Sequence, residues 1–149
     1  MTPVMAIAKF IVNIADDPTS NLKLQKLLYY VQGWYLGIHG KAVFHEEVQA
    51  WAHGPVVPDV FHALRHHGWN PVPKSSEIIV LDGQIDSHVR AVLKAYGKFS
   101  AAQLERLSHT EQPWLDARGD LPPNVPSRAV ITHKSMKEYF SSRVNEQKP

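Results

Sequence analysis

Residues 20–40 constrain the fold most, because they are apolar around most of the circumference of a helix. Their apolar members recur at helical spacing in two stripes: Leu24, Leu27, Leu28, Val31, Tyr35 and Ile38, and then Leu22, Tyr29 and Leu36. Two narrow polar strips remain, one with Lys23 and Lys26 and the other with two glutamines. A helix of this kind is normally buried by its neighbours. The sequence therefore predicts a buried central helix over about residues 22–38. The two lysines are expected to be solvated on its polar strip, or to pair with acidic groups of a partner or with Asp59 or Glu111 of the same fold.

The composition of the chain is that of one ordinary globular domain, spanning residues 1–149, with a polar tail that frays from about residue 142. The absence of cysteine excludes disulfides and thiolate chemistry and fits a reducing cytoplasm. Sixteen basic and 14 acidic residues are interspersed, which gives no reason to expect nucleic-acid binding by the protein itself. No apolar run approaches the roughly 18 residues that span a bilayer. We expect a cytoplasmic protein that does not associate with membranes.

Two short runs predict a small antiparallel β element. Apolar residues alternate along one run, which predicts a strand over about residues 44–52. Residues 77–81 include a β-branched run, and we expect them to pair with that strand. The glycine and two prolines of residues 53–58 predict an irregular corner between strand and helix. With further helical periodicity at residues 4–14, 59–67 and 84–96 and after Ser100 and Thr132, the fold class is α+β, mostly α-helical.

Three segments, in the same order along the chain, resemble the signatures of one family. They are residues 22–30 (LKLQKLLYY), residues 50–60 (AWAHGPVVPDV) and residues 108–114 (SHTEQPW). On these, with Tyr139-Phe140 near the end, the chain is identified as a member of the Panacea (SocA-like) antitoxin domain family, also described as phage-associated GepA-like proteins. The resemblance covers about residues 5–140.

The resemblance implies a bacterial or phage protein, mainly helical with a little sheet. It implies an antitoxin that binds and neutralises a toxin encoded by the adjacent gene, and no cofactor. One branch of the family delivers its toxin to an ATP-dependent protease, and this adaptor role is the alternative function. The polar tail, residues 142–149, is the one free segment that a protease could recognise. A homodimer remains open.

The signatures also supply candidates for contact with the partner. These are Lys23, Lys26, Tyr30, Trp51, His53, Pro55, Asp59, His62, His109, Glu111 and Trp114. Residues 51–58 have two interpretations: a rigid corner that joins strand to helix, and a rigid aromatic anchor for a partner. Both hold if Trp51 points inward and His53 outward. Trp69 is expected at the edge of the core, and an exposed Trp69 would become a candidate anchor.

An enzyme is the alternative from another class. His62 and His66 lie four residues apart on a predicted helix, so both could face one metal ion in a hydrolase. The glutamate that such sites use as a general base is missing between them, and Arg65 would repel a cation. His53, His109 and Glu111 are not accompanied by a nucleophile or by a phosphate-binding loop. The sequence therefore predicts a binding protein without catalytic activity.

Overall fold

The computed structural model describes residues 1–146, which form seven α-helices and one two-stranded antiparallel sheet. The elements are α1 (Val4–Ile14), α2 (Asn21–His39), β1 (Gln49–Trp51), β2 (Gly54–Val56), α3 (Pro58–Leu64), α4 (Gly83–Tyr96), α5 (Ala101–Ser108), α6 (Gln112–Arg118) and α7 (His133–Glu146). A single 3-10 turn, Arg65–His67, follows α3. The predicted fold class, mostly helical with a small antiparallel sheet, is confirmed. None of these helices is long and apolar enough to cross a membrane.

Helix α2 is the buried centre of the fold, as its sequence predicted. The Ser20 hydroxyl accepts a hydrogen bond from the Lys23 backbone N–H at 3.2 Å and caps the first turn. At the other end Gly40 adopts φ 75°, a left-handed conformation that favours glycine and ends the helix. Between these caps most residues of α2 are buried on every side. The helix is therefore the axis on which the other elements pack.

The closest packing of α2 is against α7, and two glycines permit it. A Cβ atom on Gly37 would lie 2.7 Å from the backbone carbonyl carbon of Phe140. A Cβ atom on Gly33 would meet the Phe140 ring, which also packs against Tyr29. Helix α7 extends to Glu146, further than the sequence predicted for a tail that frays from about residue 142; residues 147–149 lie outside the described part.

The first predicted strand is present as β1, within residues 44–52, but its partner differs from the predicted one. β1 pairs with β2, in a register that places Trp51 opposite Gly54, so part of the corner expected to be irregular is a strand. A two-residue turn closes this hairpin, and by the logarithmic dependence on loop length this costs about 2 kcal/mol less chain entropy than reaching a run some 25 residues away. Ile78 and Val80, in the run expected to pair, are instead exposed to 88% and 85%. The other edge of β1 is bridged at Gln49 by Val130.

The polar strips of α2 are also buried, and the expectation of solvated lysines is wrong. Lys26 is 1% exposed, and Lys23 and both glutamines are buried as well. Gln25 Oε1 accepts from the Val57 backbone N–H at 2.9 Å. Gln32 Nε2 donates to the Phe44 carbonyl at 2.6 Å. Segments without regular structure cross α2 on these sides, and their backbone groups need polar partners once water is excluded.

Candidate functional site

The three signature segments, distant in sequence, meet at one end of α2. Helix α2 contributes the first, the β1–β2 hairpin the second, and the junction of α5 and α6 the third. A side-chain hydrogen bond joins each pair of these segments. The signatures therefore mark one spatial unit.

Lys26 joins the first segment to the second. Its stem passes under the hairpin, where a Cβ atom on Gly54 would lie 2.8 Å from Lys26 Cε. Gly54 also has φ 103°, which strains other residues, so both space and backbone require glycine. Lys26 Nζ donates one hydrogen bond, to the Pro55 carbonyl at 3.3 Å. Burial lowers the pKa of Lys26 to about 8, partly offset by the negative charge of Glu105.

Glu111 joins the third segment to the first. Glu111 is 5% exposed, and its Oε1 accepts hydrogen bonds from the hydroxyls of Tyr29 at 3.0 Å and Tyr30 at 3.1 Å. Burial raises the pKa of Glu111 to about 7, although the two tyrosine hydrogen bonds act to lower it. Tyr30 also stacks on Tyr96 with ring centroids 4.0 Å apart. Tyr30 and Glu111 thus lie in the interior, where they support the fold and offer no surface to a partner.

Trp114 joins the third segment to the second. Its indole Nε1 donates to the Trp51 carbonyl at 2.9 Å, and the His109 ring stacks on it at 4.0 Å. Arg118 covers the Trp114 ring at 4.8 Å and donates to the Ala50 carbonyl at 3.2 Å. Burial lowers the pKa of His109, partly offset by Glu105. This stack holds the hairpin in place from behind.

In front of the hairpin lies a mostly apolar groove of about 580 Å³, which we call the aromatic groove. Its lining residues are Ser20, Asn21, Leu22, Lys26, Trp51, His53, Val56, Phe61, Arg65, Gly68, Trp69, Ala101, Ala102 and Glu105. Three of the candidate residues share it: Lys26, Trp51 and His53. The predicted outward direction of His53 is confirmed, and its Nδ1 lies 3.3 Å from Glu105 Oε1.

The sequence predicted Trp69 at the edge of the core, and this prediction is wrong. Trp69 is 84% exposed at the rim of the aromatic groove, not at the edge of the core. The loop signal of Asn70-Pro71 beside it could have indicated this, because a residue next to a turn has few neighbours to cover it.

The remaining candidates lie outside the aromatic groove. Lys23 Nζ donates to the Gly97 carbonyl at 2.6 Å, on another side of α2. Pro55 is buried in β2, and Asp59 and His62 are exposed on α3. Within residues 1–146, no group of three or more histidine, aspartate or glutamate side chains is placed to hold a metal ion. In the described part of the chain, His62 and His66 therefore have no third histidine, aspartate or glutamate beside them to complete a metal site.

Comparisons of the sequence with known proteins identify the family of this chain. The sequence profile of the family described as "Antitoxin SocA-like, Panacea domain" matches residues 24–115, a span that includes most or all of each signature segment. Antitoxin SocA of Caulobacter vibrioides (strain NA1000 / CB15N) is 33% identical over 138 residues, covering 84% of this chain and 73% of that protein. No solved structure is significantly similar. The chain belongs to the SocA-like, Panacea-domain antitoxin family.

Proposed function

We propose that this protein is an antitoxin that neutralises a cognate toxin, encoded by the adjacent gene, by direct stoichiometric binding. Membership of an antitoxin family supports the role. Binding without chemistry of its own is supported by Glu111, whose buried carboxylate accepts hydrogen bonds from two tyrosines inside the fold instead of facing a cleft as a general base would.

The toxin docks on the aromatic groove. The observation that carries this assignment is the exposed indole of Trp69 beside an apolar groove, because exposed aromatic anchors next to apolar pockets dominate protein–protein binding energy. The groove walls are held by Gln25 on the Val57 backbone and Trp114 on the Trp51 backbone. A surface fixed in this way loses little conformational entropy on binding.

Co-expression with the product of the adjacent gene tests this proposal. We expect the two proteins to co-purify at equal stoichiometry and the toxicity of the partner to be suppressed. Trp69→Ala should weaken the complex by about 2 kcal/mol or more, the range of an interface anchor. Ile78→Ala is the matched control, since Ile78 is similarly exposed but lies away from the groove, and it should leave binding unchanged. Toxicity that persists beside the wild-type protein would refute the antitoxin role.

The adaptor role remains the alternative within the family. Residues 142–146, most of the tail considered as a protease signal, are helical in α7. Toxin half-life in cells with and without the protease separates the two roles, because an antitoxin that acts by binding alone leaves the half-life unchanged. A cytoplasmic location and a homodimer stay predictions.

A further inference from the structure

We propose that the aromatic groove recognises an aspartate or glutamate side chain next to a large apolar side chain in a segment of the partner protein, with the Lys26 ammonium group as the charged contact at its floor. This inference rests on the proposed function for the identity of the partner. It adds the chemistry by which the partner is selected.

Lys26 lacks the partners that a buried ammonium group requires. The group has three donors, and one of them reaches the Pro55 carbonyl at the long distance of 3.3 Å. Lys26 forms no ion pair within the described part of the chain, although it is 1% exposed. A buried charge is costly unless it is paired. Because Lys26 also lines the aromatic groove, a carboxylate arriving from the groove would supply the missing acceptors.

The charges around the groove favour an acidic occupant. Lys26 and Arg65 are the cationic lining residues, and Glu105 is the one lining carboxylate. The carboxylate of Glu105 lies 3.3 Å from His53 Nδ1 and also acts on Lys26 through its charge. With two cationic side chains against one carboxylate, the lining is net positive, which is complementary to a carboxylate.

The walls of the groove determine what must accompany the acid. Trp51, Phe61, Val56 and Trp69 present carbon surface, and the rings of Trp51 and Phe61 pack edge to face at 5.0 Å. Such walls bury an apolar side chain favourably, at about 25 cal/mol per Å² of surface removed from water. The one buried ammonium group at the floor matches the charge of one carboxylate, whereas a phosphate dianion would need a second buried cation and Arg65 is exposed, which disfavours a nucleotide. An acid beside an apolar residue fits both features.

Selection of displayed random peptides on the intact protein tests the inference without knowing the partner. We expect the selected peptides to carry an aspartate or glutamate next to an aromatic or branched aliphatic residue. One selected glutamate peptide is then synthesised with glutamine in place of glutamate. By titration calorimetry the wild-type protein should bind the glutamine peptide about 10-fold more weakly or worse, the loss expected for one charge-assisted hydrogen bond. No enrichment of acids, equal affinity for both peptides, or tighter binding of adenosine monophosphate than of the peptide would overturn the inference.

Two lysine variants assign the effect to Lys26. Lys26→Met keeps the length of the side chain and removes the charge, so it should bind both peptides equally. Lys23→Met is the matched control: Lys23 is a buried lysine of the same helix whose ammonium meets Gly97 away from the groove, and its variant should discriminate as the wild type does. Thermal unfolding verifies that each variant is folded, and the comparison of the two peptides on the wild-type protein decides the matter if Lys26→Met does not fold.

Competition with the product of the adjacent gene separates this inference from the proposed function. If the peptide binds through its glutamate but the gene product does not bind this protein, the acid-recognition inference stands and the proposed function fails. If the gene product is neutralised and Lys26→Met binds it as the wild type does, the proposed function stands and the acid-recognition inference fails.

Discussion

Replacement of Gly37 by alanine tests the close packing of α2 on the backbone of α7. The new Cβ atom would lie 2.7 Å from the Phe140 carbonyl carbon and 2.8 Å from the Ser141 nitrogen. Ordinary contacts begin at 3.4 Å, so α7 would have to move away from α2 by about 0.7 Å. Because both atoms belong to the backbone, no side-chain rotation can relieve the clash.

The magnitude follows from two opposing effects. Overpacking in a well-packed core costs about 1–3 kcal/mol. Alanine in place of glycine inside a helix returns about 1 kcal/mol through its higher helix propensity. Because the clash is with backbone, we place the overpacking cost in the upper part of that range, at about 2–3 kcal/mol. We therefore expect Gly37→Ala to lower the free energy of unfolding by about 1–2 kcal/mol, which corresponds to a fall in Tm of about 4 °C for a chain of this length.

Circular dichroism during thermal and urea unfolding provides the measurement. The control is Gly83→Ala in α4, where no heavy atom lies within 4 Å of the added Cβ atom, and this variant should be as stable as the wild type or slightly more so. If Gly37→Ala is also as stable as the wild type, the added Cβ atom has not caused the overpacking cost that we expect, and the close packing of α2 on α7 is refuted.

Further substitutions test the buried polar groups and the histidines. The pKa of Glu111 is raised from 4.5 to about 7, so its contribution to stability is complete below pH 4.5 and is lost as the pH rises through 7. In urea titrations the wild-type protein should therefore lose up to about 3 kcal/mol of stability between pH 5 and 7.5, and Glu111→Gln should remove this decline. Identical pH profiles for the two proteins would contradict this. Gln25→Leu leaves the buried Val57 N–H without its acceptor and should cost about 1–3 kcal/mol by urea unfolding, whereas a neutral effect would mean that water reaches this N–H. Metal analysis of protein purified without chelators should find less than one equivalent bound, and a stoichiometric metal lost in both His62→Ala and His66→Ala would favour the hydrolase alternative.

The mistaken β partner has a physical explanation in loop closure. The run at residues 77–81 has the composition of a strand, but composition carries no information about how much chain must be ordered to reach a partner. The β1–β2 hairpin closes with two residues, and Gly54 supplies the positive φ that it needs. Pro55 can belong to β2 because its missing N–H lies on a strand that has a single neighbour.

The lysines of α2 show why the candidate site could be predicted only in part. A helical pattern indicates which residues share a face, but it does not indicate whether water or another segment lies over that face. Lys26 and Trp51 were found as candidates from the signatures, yet their relation to Trp69 depends on how the hairpin and the turn after α3 fold over α2. Hydrogen bonds such as that from Lys26 to Pro55 arise between segments far apart in sequence.

The sequence alone determined the buried central helix, the mostly helical class and the family. Helical periodicity is a local property of the chain, and the signature segments and their order can be read directly from the sequence. The tertiary structure alone decided which polar residues of α2 are buried, which strand pairs with which, and that Trp69 stands exposed at the aromatic groove. These features depend on which distant segments exclude water from one another. The free energy of removing groups from water is set by the packing of the whole chain and not by any local stretch of sequence.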